Sequence, residues 1–377
     1  MSISMNIDQE WENFISSSNN DDISSDEEFE MDNDIKNEII SANIPLDIGS
    51  EAPKATDIYI STKTKIAYLN TAIDLKKIFW KVSIIPYSQP TNGVIKKQIK
   101  FNSMSKEELE EIQTKLSSEK YFEEHVITHI DNPNGRIKFK DVRKLSIGIS
   151  KKDIMSYRCK QKSAFYNCFV IILRMKINEQ FKEFHVKVFN TGKLEIPGIQ
   201  NENTFRLLLD EVIKTLQPYV DVKLGYKPDS EETVLINSNF NCGFYVNRDA
   251  LYEILKYKYD IQSIYDPCSY PGIQCKFYFN PDSDTQNGCQ ISEENKHLYK
   301  NIKEVSFMVF RTGSVLIVGK CDENVLITIY EFLKVILSNE YKNICQKYTI
   351  GDENSKFVLK DKTKKSRRKN IMIEVSL

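Results

Sequence analysis

The sequence predicts an α+β fold, because a hairpin followed by a helix occurs twice along the chain. Residues 309–319 read Val-Phe-Arg-Thr-Gly-Ser-Val-Leu-Ile-Val-Gly, and residues 188–198 read Val-Phe-Asn-Thr-Gly-Lys-Leu-Glu-Ile-Pro-Gly. In each copy two alternating runs flank a turn that contains glycine, which is typical of a β-hairpin. An apolar helical pattern follows each copy, at 203–219 and 324–341. These two copies predict an internal repeat.

Each hairpin is predicted to have an apolar face that its own helix does not cover. Successive side chains of a strand point to opposite faces. In the second copy Phe307 therefore faces the core and Phe310 faces away from it. In the first copy Val188 faces the core, and Phe189 lies on the opposite face with His185. A soluble protein keeps such an apolar face for a partner; the alternative is that a second layer or a loop covers it.

The chain resembles the TATA-box-binding protein family, and most of all its divergent members encoded by large DNA viruses. The main resemblance is the motif Val-Phe-x-Thr-Gly-x-x-x-Ile-x-Gly before a helix, present in both copies. Residues 73–78, Ile-Asp-Leu-Lys-Lys-Ile, resemble that family's first helix. Residues 270–273, Tyr-Pro-Gly-Ile, resemble a strand start in its second half. The resemblance covers residues 56 to 341, with large insertions.

This resemblance implies a curved antiparallel sheet, a saddle, made of two pseudo-symmetric repeats with helices on the convex face. It also implies a transcription initiation factor that binds AT-rich promoter duplex DNA through the minor groove and recruits RNA polymerase with other transcription factors. In that family apolar wedges enter between base steps and kink the duplex, while basic residues lie near phosphates. The predicted DNA-binding residues are Phe189, Phe310, Tyr270, Lys193, Met308, Leu316, Val318, Lys97, Lys276 and Lys187.

The sequence departs from the family where bases are read. The family's Asn-Ile-Val motif on the opening strand is absent from both halves, where residues 57–60 read Asp-Ile-Tyr-Ile and residues 234–237 read Val-Leu-Ile-Asn. The wedge position of the first half falls on Thr91, or on Cys168 if the apolar run 169–173 is the true counterpart. These departures affect a TATA preference more than minor-groove binding in general.

The remaining elements follow from local patterns. Residues 57–66 and 93–99 alternate as strands, and 71–81 reads as a short helix. The strand at 93–99 aligns with 272–278, which places Lys97 level with Lys276. In the second half 233–239 reads as a strand, 248–259 as a helix and 280–302 as a long hairpin loop.

An insertion separates the strands of the first half. It opens with a charged helical pattern at 103–120, where Ser105 and Glu108 form a capping-box signal. His125 and His129 have the spacing of a helical metal site, although the segment also reads as a strand and offers no third ligand. The patterns predict four segments: an acidic disordered tail at 1–53, a first repeat at 54–222 with the insertion at 102–164, a second repeat at 228–345, and a basic tail at 346–377.

Charge is distributed unevenly. The net charge of the chain is −1, but residues 1–53 hold 14 Asp or Glu and one Lys, so the rest carries +12. The acidic run 21–30 cannot bury enough apolar surface to fold alone. It is either a solvated tail, or a DNA mimic or docking arm for another factor. The basic run 364–369 is typical of nuclear import or of phosphate binding without sequence choice.

Other functional classes have little support in the sequence. We find no nucleotide-binding loop, nucleophile elbow or zinc-protease motif, and we therefore expect no enzyme, no cofactor and no metal site. Without a long apolar run or a signal peptide, we expect no membrane association and no secretion. The expected location is the nucleus or a cytoplasmic viral factory or virion, and the expected state is a monomer. The alternatives are a transcription-complex scaffold with a saddle fold that no longer binds DNA specifically, and a nucleic-acid-binding module for replication or packaging.

Overall fold

The computed structural model describes residues 51–155, 166–292 and 301–346, which form two compact units. The described part of the first unit is 66–155 and 166–231, and that of the second is 51–65, 232–292 and 301–346. Strand β1 (Tyr59–Tyr68) is therefore divided between the units. The predicted segment boundaries stay predictions. Nearly all of the acidic tail and of the basic tail lies outside the described residues.

The first unit is an antiparallel sheet with three helices packed on one side. Its further strands are β2 (Gly93–Ser103), β3 (Phe122–Asp131), β4 (Phe139–Gly148), β5 (Cys168–Ile177), β6 (Gln180–Phe189) and β7 (Lys193–Ile199). Its helices are α1 (Leu75–Lys81), α2 (Lys106–Leu116), α3 (Lys151–Met155) and α4 (Glu202–Leu216), the last continued by a 3-10 turn at Gln217–Tyr219. The strands lie in the order β3-β4-β2-β5-β6-β7.

The second unit has the same layering. Its strands are β8 (Glu232–Asn241), β9 (Ser263–Ile264), β10 (Ile273–Phe279), β11 (Lys303–Val309) and β12 (Ser314–Gly319). Its helices are α5 (Arg248–Glu253), continued by a π-helix at Ile254–Lys258, then α6 (Glu323–Asn339) and α7 (Tyr341–Ile344). The strands lie in the order β8-β12-β11-β10-β9. All these helical segments contribute buried side chains to one core on the same side of the sheet.

Both predicted hairpins and their following helices are confirmed. In β6–β7 Val188 pairs with Leu194, and in β11–β12 Val309 pairs with Val315. These four side chains are almost fully buried. Because full burial of an aliphatic side chain contributes about 1.5–3 kcal/mol, the core faces fix the register of both hairpins.

The same hydrogen bonds position the hairpin turn in each unit. Leu69 N donates to Gly192 O at 2.8 Å, and Cys242 N donates to Gly313 O at 2.9 Å. Both glycines have positive φ, 84° and 81°. A Cβ atom at Gly192 would lie 2.4 Å from the Thr71 carbonyl oxygen. Only glycine fits that approach, which explains the glycine in both motifs.

The insertion forms α2, β3, β4 and α3. The Ser105 half of the predicted capping box is confirmed, since Ser105 Oγ accepts from Glu108 N at 3.3 Å. The Glu108 carboxylate accepts at 2.9 Å from the backbone N of Met104, the residue before the cap. The β3–β4 hairpin extends the sheet beyond β2 and makes β3 its outer strand.

The two histidines of the insertion lie on strand β3, not on a helix. A bulge between Val126 and Thr128 sends them to opposite faces: His125 pairs with Lys144 and His129 with Asp141. His129 Nδ1 lies 2.8 Å from Asp141 Oδ2. Among the described residues, no group of three or more His, Cys, Asp or Glu is placed to hold a metal ion. Within the same residues no helix has the length and apolarity needed to cross a membrane.

Candidate nucleic-acid interface

The side of the second unit opposite its core presents a regular grid of side chains, here called the apolar face. Paired residues from successive strands form its rows. One row is Asn239, Leu316, Met308, Gln274 and Ile264. A second is Asn237, Val318, Ser306 and Lys276. Within the described part of the unit no helix lies on this side, because every helix there packs into the core.

Three predicted residues meet at one end of the apolar face. The rings of Tyr270 and Phe310 have centroids 5.9 Å apart, tilted by 59°. Tyr270 Oη lies 3.5 Å from Met308 Sδ, and burial raises the pKa of the phenol, so the hydroxyl stays neutral. A Cβ atom at Gly272 would lie 3.0 Å from the Phe310 ring, so glycine allows this ring to approach the start of β10 closely. The cluster is half-buried and apolar, as a wedge between bases requires.

Strand β8 gives the apolar face a polar margin that sequence reasoning missed. Among the described residues, Asn237 Oδ1 and Asn239 Nδ2 are buried side-chain atoms without a hydrogen-bond partner. Asn237 Nδ2 donates to Thr62 Oγ1 at 3.3 Å. Buried polar atoms without partners cost stability and therefore mark a place where a ligand gains hydrogen bonds. The signal in the sequence is the alternation of Asn237, Asn239 and Asn241.

The other predicted residues of the second unit lie on the same face. Leu316 is half-buried beside Met308, and Val318 is 9% exposed. Lys276 Nζ forms an ion pair with Glu304 at 2.7 Å. Its charge is therefore compensated in the free protein, and a phosphate has to compete with this carboxylate.

The side of the first unit opposite its core is here called the charged face. Phe189 is half-buried there, with Lys193 Nζ 5.5 Å from its ring centroid. Lys187 is 6% exposed and pairs with Glu195 Oε1 at 3.0 Å. The register brings these predicted residues together on β6 and β7. Phe189 is thus a single aromatic side chain among charged residues, whereas the second unit has an apolar cluster.

Part of the charged face is covered by the segment that contains α3. Lys96 Nζ donates to both carboxylate oxygens of Asp153, at 2.7 and 2.8 Å. Ser150 donates to the same carboxylate through its backbone N and its Oγ. At the other end of the cover the Glu183 carboxylate accepts from Lys151 N at 3.0 Å. The strand residue between these anchors, Ile172, is 2% exposed although it lies outside the main core.

Arg174 and Tyr87 connect a second segment, the loop at 84–92, to the charged face. Arg174 donates through Nη1 to the Tyr87 carbonyl at 2.7 Å, and it also donates to the carbonyls of Gln89 and Thr91. The guanidinium carbon lies 5.5 Å from the Tyr87 ring centroid. Burial and the nearby Glu183 carboxylate raise the pKa of Tyr87. These hydrogen bonds from Arg174 hold the loop at 84–92 against β5.

Lys97 lies on the core side of the first unit, which corrects the prediction that it faces phosphate. It is 2% exposed, donates to the Val82 carbonyl at 2.8 Å and lies 5.2 Å from the Phe79 ring centroid. Burial lowers the pKa of its amine. The alignment of 93–99 with 272–278 is the source of the error. The strand beside hairpin β6–β7 is β5, as β10 is the strand beside β11–β12, so Cys168 and not Thr91 begins the strand that corresponds to β10.

A match to a curated protein supports the resemblance in the sequence. A TATA-box-binding protein-like protein of Acanthamoeba polyphaga mimivirus is 27% identical over 192 residues, which are 48% of this chain. The match spans only half the length of that relative. The solved structure of Methanococcus jannaschii TBP is similar at 12% identity with a TM-score of 0.35, over 74% of this chain and 98% of that one. No family model matches the chain. The match to the mimivirus protein confirms the resemblance to a divergent, TATA-box-binding protein-like viral protein.

Proposed function

We propose that this protein is a transcription initiation factor that binds duplex promoter DNA through the minor groove and recruits RNA polymerase. The observation that carries the proposal is the half-buried cluster of Tyr270, Phe310 and Met308 on the apolar face. The resemblance to TATA-box-binding protein-like proteins supports it. On this proposal the two units are related repeats, and the saddle that the resemblance implies stays a prediction. The protein acts where transcription takes place, in the nucleus or in a viral factory.

The chemistry of the apolar face suits a minor groove. Phe310 is the main wedge, and Tyr270 supports its ring from the strand start. Inserting an apolar wedge between base steps costs a few kcal/mol of unstacking, which a bent duplex recovers through wider contact. Leu316 and Val318 contact the groove floor and walls in this proposal. The minor groove of A·T pairs has no amino group of the kind that guanine places there. An apolar face therefore leaves no base donor without a partner when it covers A·T pairs.

Asn239 contacts base edges in the proposed complex, and Asn237 lies beside it on strand β8. The uncommitted amide Nδ2 of Asn239 is a donor, and A·T pairs offer acceptors on both bases in the minor groove. These residues stand in for the Asn-Ile-Val motif that the opening strands lack. The shift in position predicts a recognition sequence that differs from a TATA box.

A binding and bending assay tests the proposal. Short AT-rich and GC-rich duplexes of equal length are titrated with the full chain over a range of salt concentrations, and the end-to-end distance is followed by fluorescence energy transfer. We expect bending and tighter binding of the AT-rich duplex. Binding without bending, or no binding at 50 mM salt, where electrostatic contacts are strong, contradicts the proposal.

A scaffold without specific DNA binding is the second candidate. The observation that favours it is the charged face, where the carboxylates of Asp153, Glu183 and Glu195 lie on the side where a DNA-binding half needs bare cations. On this alternative the helices carry the partner contacts. Polymerase recruitment by a variant that cannot bind DNA separates the two candidates.

A further inference from the structure

We propose that the outer strand of the first unit, β3, is a docking site for a segment of the same chain, residues 371–377. The segment adds to β3 as a further strand of the sheet. This inference does not depend on DNA binding and therefore goes beyond the proposed function. It gives a role to the inserted hairpin β3–β4 and to the segment that follows the basic run 364–369.

Strand β3 is a long sheet edge. It is the last strand in the order of the first unit, and within the described residues only β4 pairs with it. It has ten residues, and about half of the backbone N–H and C=O groups of such a strand point away from its partner. The outer strand of the second unit, β9, has only two residues. An edge as long as β3 is a template for a further strand, whereas an edge as short as β9 is protected by its length.

The side chains of β3 favour an apolar partner strand. Natural edge strands are protected by lysine, proline, bulges or short length, and of these β3 has only a bulge after Val126. Phe122 and Val126 are each 46% exposed. They point to the same face, because their partners on β4, Ile147 and Arg143, are four residues apart. An added strand with apolar side chains on that face covers both.

Residues 371–377 have the pattern of such a strand. They read Ile-Met-Ile-Glu-Val-Ser-Leu, so apolar residues recur at every second position and three of these residues are β-branched. Alternation places the recurring side chains on one face of a strand. Pairs of aromatic and β-branched side chains on neighbouring strands stabilise a sheet. In the docked form Ile371, Ile373 and Val375 therefore lie beside Phe122 and Val126.

Charge sets the direction of the added strand. Glu123 and Glu124 lie near the beginning of β3, and Glu123 is exposed, whereas Glu124 also pairs with Arg143. The turn after β3 carries Arg136 and Lys138. Five of the six residues of the basic run are Lys or Arg, and the run comes just before the segment. A parallel arrangement places the run beside the two glutamates and away from the two cations of the turn.

The connecting chain favours a segment of the same molecule over one from a second copy. The described structure of the second unit ends at residue 346, and residues 347–370 connect it to the segment. An extended chain of that length spans up to about 80 Å. Tethering raises the effective concentration of a short segment to the order of millimolar. A second copy at micromolar concentration lacks this advantage.

Backbone hydrogen exchange of the full chain tests the docking. Ile373→Pro removes a hydrogen-bond donor from the middle of the segment, and Lys362→Pro is the matched control outside it. Both positions lie outside the described residues, so neither substitution touches a described core. If the segment is docked in about nine molecules of ten, the outward amides of β3 should exchange about tenfold faster in Ile373→Pro than in wild type. Exchange in Lys362→Pro should match wild type.

A fluorescently labelled peptide with the sequence of residues 364–377 tests the site itself. Anisotropy should show that it binds the Ile373→Pro protein about tenfold more tightly than wild type, because the variant's own segment no longer competes. Adding Glu123→Lys to the Ile373→Pro protein should weaken peptide binding, most strongly at low salt. The control is Glu107→Lys, an equal change of charge at an exposed position of α2.

Three results contradict the proposal. Equal exchange of β3 in wild type and Ile373→Pro overturns the docking. Protection of β3 that grows with protein concentration shows that a second copy covers the edge, and this overturns docking within one chain. Peptide binding that is the same with Glu123→Lys and with Glu107→Lys overturns the parallel arrangement. None of these measurements uses DNA, so a failure of the proposed function is distinguishable from a failure of this inference.

Discussion

The two units place their strands in the same order around their hairpins, yet the sides opposite their cores differ. The apolar face of the second unit carries Phe310, Met308 and Leu316, and no described helix lies over it. The charged face of the first unit carries ion pairs and is partly covered by the segment around Asp153. Strand order fixes where side chains lie, and residue identity decides whether the surface is apolar or charged.

The largest effect is expected from a carboxylate on the apolar face. Leu316→Glu should reduce DNA affinity by about a hundredfold or more, because the new charge repels phosphates and loses its water in the groove. The matched control is Ile327→Glu on α6, a position that is 50% exposed. Filter binding measures both variants. An equal loss in the control, or a collapsed thermal transition in Leu316→Glu, removes the support that this test gives to the apolar face.

A second effect concerns the acidic tail, which is a hypothesis from sequence alone. The tail has a net charge of −13 and the rest of the chain has a net charge of +12, so the tail should compete with DNA for the basic surface. Deleting residues 1–53 should tighten DNA binding, most strongly at low salt where screening is weakest. Truncating the basic tail after residue 346 should act in the opposite direction and flatten the salt slope. Unchanged affinity of the first truncation at low salt rejects the competition.

The cover of the charged face depends on Asp153. Burial alone would raise the pKa of its carboxyl, but the Lys96 ion pair and the Ser150 hydrogen bonds outweigh burial and lower it. A lowered pKa adds stability above the unfolded pKa of about 3.9, and this stability is lost as pH falls through the folded pKa. Asp153→Asn should therefore cost about 1–3 kcal/mol at neutral pH.

Denaturant unfolding at a series of pH values checks this expectation. The difference in the free energy of unfolding between wild type and Asp153→Asn should shrink toward zero as the pH falls below the folded pKa of the Asp153 carboxyl. The matched control is Asp249→Asn, an exposed carboxylate in the first turn of α5. If the difference in unfolding free energy does not change with pH, the Lys96–Asp153 ion pair does not stabilise the segment that contains α3.

The smallest effect on DNA binding is expected at Lys97. Because Lys97 lies on the core side, Lys97→Gln should leave DNA affinity and salt slope unchanged. Its folded pKa is lowered by burial, so the protonated lysine favours the unfolded state, and stability should rise as pH passes from the folded to the unfolded pKa. Thermal unfolding between pH 7 and 10.5 measures this slope, and the variant should lack it. A reduced salt slope in Lys97→Gln restores the phosphate contact that the sequence predicted.

Local patterns predicted most of the fold. Hairpin turns depend on a few residues, and Gly192 and Gly313 mark them unambiguously because of their positive φ. The alternation of Phe307 and Phe310 also gave the correct faces. Such features depend on neighbours in sequence, and one chain is enough to recognise them.

Features that depend on distant contacts were not predicted. Lys96 and Asp153 are 57 residues apart, and nothing in either segment indicates that they meet. Lys97 lies on the core side because it shares a face of β2 with the core residues Ile99 and Phe101. The inserted strands concealed that β5, and not β2, corresponds to β10. The alternation of Asn237 and Asn239 is visible in the sequence. That they lie on the apolar face follows only from their pairing with Val318 and Leu316 on β12.

The bend angle of a labelled duplex tests the central claim most directly. Fluorescence energy transfer across an end-labelled AT-rich duplex is measured with wild type, Phe310→Ala and Phe189→Ala. Losing a stacked aromatic costs about 1–3 kcal/mol, so Phe310→Ala should weaken binding about tenfold to a hundredfold and reduce the bend. Phe189→Ala, which removes a ring among charges, should reduce both much less. Equal losses from the two substitutions contradict the difference between the faces, and an unbent duplex with wild type contradicts the wedge itself.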